Sequence, residues 1–296
     1  MRADVGRPVI LDVVLSGLVV GGMYGLIALG LNLQYGIARM MNLAYGEALM
    51  GGAYTAFWLF MLWKIDPLLS MLLSVPVAFC GNWLIYRYLL TPLVRRAANQ
   101  EILEADTILV TFGLLFVFQG MALVQWGGEY RGYTYLAVPI DVLGATVALN
   151  RLLALAAAVV LGLSLYWVLR STRVGGALRA IAIDPVAAQL VAIDVPRLSA
   201  LAFATGGAIM AVAGTLVSMF LSFNASIGIV YTLKALIVVI MGGVGRMLGC
   251  LMAGLILGFA EALGAWLVDP GLTLAINFAL FLLVLLVRPQ GLFSRG

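Results

Sequence analysis

Long apolar runs separated by short polar loops fill this chain from end to end. A helix needs about 20 apolar residues to cross roughly 30 Å of hydrocarbon. Nine runs meet that measure or approach it: 10–36, 44–63, 68–88, 107–126, 150–170, 198–220, 229–247, 249–267 and 272–288. The pattern predicts an all-α polytopic membrane protein of about eight to nine transmembrane helices, read as a single transmembrane domain over 1–296. The run 229–247 is the one expected to re-enter rather than cross, and its loss would move the N-terminus to the other side of the membrane.

The most polar long interruption is 171–197, STRVGGALRAIAIDPVAAQLVAIDVPR. Arg170 and Arg173 open it and Arg197 closes it, so the positive-inside rule keeps it in the cytoplasm. Asp184 before Pro185 is a helix start, because the carboxylate caps free N–H groups and proline suits the first helical position. Val186, Leu190 and Ile193 then fall on one stripe of a short helix, and Asp194 caps the next span. Upstream, Leu178 and Ile181 share a face while Arg179 points to solvent. Such a helix either offers a docking surface or lies on the headgroups, and the physics alone leaves both open.

The stretch 31–54, LNLQYGIARMMNLAYGEALMGGAY, carries Asn32, Gln34, Asn42, Tyr45 and Glu47 at or near membrane depth, interleaved with Gly36, Gly46, Gly51 and Gly52. Irregular backbone at that depth is tolerated only where protein or a water-filled cavity covers it. A broken segment beside a pathway is the expectation, and a tight surface loop is the alternative. Gly17, Gly21 and Gly25 form a ridge of small residues, followed by Gly30. Cys250, Gly254, Gly258 and Ala262 form a second, and both suit close helix packing in lipid.

Composition and charge refine this picture. The chain is 64% hydrophobic and only 10% charged, far below the roughly 25% of soluble domains, so the net charge of +4 reads as topology and gives no case for nucleic acid. With 171–197 inside, Arg39, Arg95, Arg96, Arg246, Arg288 and Arg295 also fall inside. Lys64, Arg131, Arg151, Arg2 and Arg7 fall outside, which places the C-terminus in the cytoplasm and the N-terminus in the periplasm. The N-terminal run is expected to be a retained span, since Asp12 interrupts it and no A-x-A site follows. Histidine is absent, and Cys80 and Cys250 lie within apolar runs as small hydrophobes. No catalytic or metal-binding constellation emerges. The cluster 242–246, GGVGR, lacks the phosphate-loop pattern and reads as a turn between spans. The external loop 127–150 offers Tyr130, Tyr133 and Tyr135 as interface anchors. Lys234 and Glu261 sit at nearly equal depth in neighbouring antiparallel spans and are expected to pair. The competing reading has Glu261 facing a pathway while Lys234 snorkels.

Several segments together resemble one family, the integral permease subunits of ABC importers for branched-chain amino acids, specifically the shorter, LivH-like permease. The resemblance rests on Gly17, Gly21, Tyr24 and 28–31 (ALGL), on Asn42-Leu43-Ala44-Tyr45-Gly46-Glu47 with Met50 and 52–54 (GAY), and on Arg179-Ala180-Ile181-Ala182 with Asp184-Pro185, Ala187, Ala188 and Ile193. The turn 242–245 and the ending 288–293 (RPQGLF) complete it. Two positions depart from the family pattern: a usual histidine is Tyr45, which bears on solute identity, and a usual glycine is Ala192, which a helix also accommodates.

The resemblance implies a multi-pass permease of the bacterial inner membrane, not an enzyme, that binds no cofactor itself. ATP would be bound by two cytoplasmic ATPase subunits. A second permease subunit and a periplasmic solute-binding protein complete the assembly. It implies Arg179, Ala180, Asp184, Pro185, Ala188 and Ile193 as the coupling surface; the polar pattern and the helix depths above add a pathway near Asn42, Tyr45 and Glu47, with Lys234 and Glu261 in its outer half. The solute would be a branched-chain amino acid or a related amino acid or amide. A secondary transporter or channel is the alternative, although such carriers usually place more ionisable residues mid-membrane.

Overall fold

The apolar runs do fold as helices. A computed structural model of the protein describes residues 6–142, 145–288 and 291–293, so Arg2, Pro289, Gln290 and Arg295, like the side chain of Arg7, lie outside the described residues. In order come α1 (Gly6–Ala38), a 3₁₀ turn (Leu43–Gly46), α2 (Glu47–Trp63), α3 (Pro67–Leu84), a π-helical stretch (Ile85–Leu90), α4 (Thr91–Arg96) and α5 (Gln100–Trp126). A hairpin of β1 (Pro139–Val142) and β2 (Ala145–Ala148) follows, then α6 (Leu149–Ser171), α7 (Arg173–Ile183), α8 (Pro185–Leu190) and α9 (Val195–Ser218). The chain closes with α10 (Ile227–Gly242), α11 (Met247–Leu267), a 3₁₀ turn (Pro270–Leu272) and α12 (Thr273–Val287).

Seven of the nine expected spans are long and apolar enough to cross a membrane. The other two are short. The 17 residues of α2 and the 16 of α10 reach only about 25 Å at 1.5 Å per residue, less than the hydrocarbon thickness. The loop expected at 89–106 is mostly helical. One helical rod continues from Pro67 to Arg96, and Asn99 starts α5 early by accepting the Ile102 N–H at 2.8 Å. Pro92 has no N–H to donate, and the Thr91 hydroxyl instead reaches the Tyr86 carbonyl at 2.9 Å, the kind of break that widens a helix into π geometry. Between α5 and α6, the β1–β2 hairpin pairs Ile140 with Val147 and Asp141 with Thr146.

The chain forms two compact units. One holds residues 1–29, 134–162 and 234–296; the other holds 30–133 and 163–233. In the first, the two glycine ridges face each other. A Cβ on Gly21 would stand 2.8 Å from Leu255 Cα, one on Gly17 would stand 2.7 Å from the Phe259 ring, and one on Gly258 would overlap the Gly21 backbone. Lipid gives no hydrophobic drive for helix association, so this backbone-to-backbone contact between α1 and α11 supplies it by dispersion. The turn after α10 uses positive φ at Gly243 (90°) and Gly245 (80°), as a tight connection requires.

In the second unit, α9 is the central helix, and most of its length is buried. It lies against α2, where side chains at Gly52 or Gly214 would run into the Ala211 or Leu49 carbonyls, and against α3, where Gly207 leaves room for the Asn82 amide. An aromatic cluster caps the unit. Tyr54 stacks on Trp126 at 4.0 Å and meets Phe223 edge-on at 5.1 Å. Tyr133 packs on Phe60 at 5.1 Å and shares a 3.0 Å hydrogen bond with Ser218, while Tyr130 stays exposed. Burial pushes the Tyr133 hydroxyl up to about 12, so it remains protonated at any physiological pH.

Candidate functional site

Three groups of residues are candidates. The first is the link between α1 and α2, which is irregular as the interleaved glycines suggested. Its free backbone groups are satisfied by side chains of the same unit: the Leu43 N–H donates to Thr111 Oγ1 at 3.1 Å, and the Gly46 N–H to Thr232 Oγ1 at 2.8 Å. Asn42 donates to Gln34 Oε1 at 3.1 Å, and Gln34 donates to the Phe203 carbonyl at 2.7 Å. Asn42 is buried and Tyr45 is completely so, at 0% exposure. The broken segment is therefore packed by protein, and neither residue faces an open aqueous lumen in this conformation.

Glu47 differs. It is the first residue of α2 and is 7% exposed, and its Oε2 has no hydrogen-bond partner among the described residues. Its other oxygen lies against Gly228 in the first turn of α10, where a Cβ would stand 2.5 Å away. Two helix N-termini thus meet at one carboxyl group. Glycine at 228 is needed for the close approach.

The second group lies wholly in the other unit. Lys234 Nζ reaches both oxygens of Glu261 at 3.1 Å. It also bonds the Tyr24 hydroxyl, which donates to Glu261 Oε2 at 2.8 Å. Asn277 Nδ2 donates to the same oxygen at 2.9 Å. The expected pair exists, and Lys234, 8% exposed, does not snorkel. Four helices, α1, α10, α11 and α12, are tied at one polar knot. Sequence reasoning did not single out Asn277, yet it is the one amide in the apolar run TLAINFALFLLVLLV, a signal that could have found it. The five expected pathway residues thus fall into two groups, Asn42, Tyr45 and Glu47 in one unit and Lys234 with Glu261 in the other.

The third group is the loop 171–197. Thr172 caps α7 by accepting the Gly175 N–H at 3.0 Å. Asp184 caps α8 as expected, accepting from Val186 and Ala187 at 2.9 and 3.1 Å, and Asp194 caps α9 by accepting from Arg197 at 3.2 Å. Leu178 and Ile181 are buried and Arg179 is exposed; Ala180, Pro185 and Ile193 are half-buried. The inward residue of α8 is Ala188, and Val186 and Leu190 of the expected apolar stripe point outward with 69% and 84% of their surface bare. One detail differs from expectation: the helix ends at Leu190, and Ala192 takes φ +62° in the turn before Ile193. A left-handed residue, not a helical one, is required there, and glycine would meet that need without a Cβ penalty. Arg39, itself at φ +50°, donates to the Ala182 and Ile183 carbonyls at 3.0 Å each. It thereby joins the end of α7 to the segment that leads to Glu47.

No group of acidic, histidine or cysteine residues that could hold a metal is present among the described residues.

Residues 13–285 match the family described as branched-chain amino acid transport system, permease component. The chain is 31% identical to the high-affinity branched-chain amino acid transport system permease protein LivH of Escherichia coli K12, over 95% of this chain and 94% of that one. It is equally 31% identical to BraD, the corresponding permease protein of Pseudomonas aeruginosa PAO1, over 96% of each. To a probable branched-chain amino acid transport permease protein LivH of Methanocaldococcus jannaschii it is 29% identical, over 88% of this chain and 82% of the relative. No solved structure matches the chain significantly.

Proposed function

Since the chain belongs to the family of branched-chain amino acid transport permease components, we propose that it is the membrane permease subunit of an ATP-driven importer. Its solute is a small polar one, a branched-chain amino acid or a related amino acid or amide, handed over by a periplasmic binding protein. A second permease completes the membrane channel. Two ATPase subunits dock on the cytoplasmic loops and supply the hydrolysis for which this chain has no motif.

The observation that carries this reading is α8. Asp184 and Pro185 hold a short helix whose large apolar residues, Val186 and Leu190, are turned away from the chain's own core. Exposed apolar side chains between charged flanks suit burial against a soluble partner. The mechanism then follows the contacts. Movement of the ATPase shifts α7 and α8, Arg39 carries the shift through its two carbonyl bonds, and the segment 40–47 re-aims Glu47. The ammonium group of an amino acid is the natural partner for that carboxylate.

The test is a permease carrying Asp184→Ala with Pro185→Gly, reconstituted with its partners. Loss of the cap costs about 1 kcal/mol of local helix stability. Solute-stimulated ATP hydrolysis should disappear while the permease still inserts and is retained in the membrane. Unchanged stimulation removes this loop as the coupling element. A carrier driven by an ion gradient is the competing reading, favoured by the unpartnered oxygen of Glu47.

A further inference from the structure

A cavity of about 630 Å³ opens where the rod from Pro67 to Arg96 meets the start of α9. Its lining includes four arginines, Arg87, Arg95, Arg96 and Arg197, against a single carboxylate, Asp194. That carboxylate is already engaged, since Arg197 pairs with it at 3.0 Å. Arg87, Arg95 and Arg96 have no carboxylate within ion-pair distance among the described residues. Three uncompensated guanidinium groups around one cavity repel each other unless an anion joins them.

The walls narrow the choice of anion. The Arg87 guanidinium lies 4.9 Å from the Trp83 ring centre and 5.9 Å from that of Tyr88, which positions its planar fork while leaving N–H groups to donate. Trp and Tyr beside arginine at the end of a membrane rod mark headgroup level. Leading up to them on α3, Leu73, Val77, Cys80 and Leu84 recur at helical spacing, and all four are exposed. They form an exposed apolar strip on one side of α3.

We propose that this cavity is a binding site for a phosphate group, supplied by an anionic phospholipid whose headgroup sits among Arg87, Arg95 and Arg96 and whose tail lies along the α3 strip. The site goes beyond transport itself: it makes the permease responsive to the anionic lipid content of its membrane. The Arg-rich end of this unit also holds the carbonyl bonds of Arg39 and the cap of α9, so an occupied site braces the region on which α8 stands.

The experiment measures lipid binding to the purified full chain in neutral detergent by native mass spectrometry. It compares phosphatidylglycerol with phosphatidylcholine and adds glycerol phosphate as a soluble competitor. At about 1 kcal/mol per arginine near a lipid surface, three arginines give an expected preference for phosphatidylglycerol of about a hundredfold. Arg87→Gln with Arg95→Gln and Arg96→Gln should abolish it. Arg151→Gln with Arg170→Gln and Arg173→Gln, which removes the same charge elsewhere, should retain it. If the triple pocket variant fails to fold, Arg87→Gln alone should weaken the preference about fivefold. Displacement by millimolar glycerol phosphate assigns the site to a free phosphate, and resistance to it assigns the site to the lipid. Equal binding of the two lipids overturns the proposal, as does a pocket variant that keeps its preference. So does a pocket variant that binds lipid normally but loses its ATPase subunits, because the patch then faces an acidic protein.

Discussion

Lys234→Met strands Glu261, and the cost can be worked from its neighbours. The carboxylate keeps two donors, the Tyr24 hydroxyl at 2.8 Å and the Asn277 amide at 2.9 Å, but loses a cation at 3.1 Å from both oxygens. Removing one partner of a buried pair costs about 3–5 kcal/mol. Glu261→Gln alone should cost a similar amount, since it leaves the ammonium with Tyr24. The double variant should not. A glutamine at 261 still accepts from Tyr24 and Asn277, and its amide can donate to Asn277 Oδ1, which is buried without a partner among the described residues. We expect the double variant to lie within about 1 kcal/mol of native, a coupling of about 5–9 kcal/mol and so well above the usual range of about 0.5–3 kcal/mol. The assay is denaturant unfolding of the detergent-purified permease for native, both singles and the double. A double variant no more stable than the worse single would refute the pairing argument. A charge swap is a weaker test, because the two donors are aimed at a carboxylate in position 261.

Other outcomes follow from the same packing. In a Cys80→Ala background, cysteines at Val186 and Leu190 should react at once with water-soluble thiol reagents and be shielded when the ATPase subunits bind. Cysteines at Asn42 and Tyr45 should stay inert in the idle permease; rapid labelling there would show that the packed segment is open. Gly258→Ala drives a Cβ into the Gly21 backbone and should destabilise the permease by about 1–3 kcal/mol in the same unfolding assay, whereas Gly113→Ala, with nothing near its Cβ, should not. Ala192→Gly relieves a left-handed alanine, whose strain is about 1–2 kcal/mol, and should slow proteolytic cleavage of the loop 184–194; faster cleavage would contradict the turn.

How much of this was legible in the sequence depends on the range of the interactions involved. The spans, the Asp184 and Asp194 caps and the turn at 242–246 were readable because each is set by residues a few positions apart. The Lys234–Glu261 pair was readable because helix rise converts sequence distance to depth. The two glycine ridges were visible as ridges, but nothing local says that one packs on the other. The burial of Tyr45 and Asn42 depends on Thr111, Thr232 and Phe203, remote in sequence, so the polar pattern by itself did not say whether protein or a water-filled cavity covers the segment. Ala192 was misread because its handedness comes from the turn that closes α8, not from its own propensity. The hairpin at 139–148 is too short for its alternation to stand out, and the π stretch is a consequence of Pro92 inside a run that otherwise reads as uninterrupted helix.

One measurement tests the central claim most directly. Uptake of labelled leucine, isoleucine and valine is followed in proteoliposomes holding the complete assembly with its binding protein. ATP and an ion gradient are varied independently, with and without Asp184→Ala plus Pro185→Gly. The account predicts uptake that needs ATP inside the ATPase-facing compartment, ignores collapse of the gradient and fails in the coupling variant. Uptake that persists without ATP and vanishes with the gradient would contradict it.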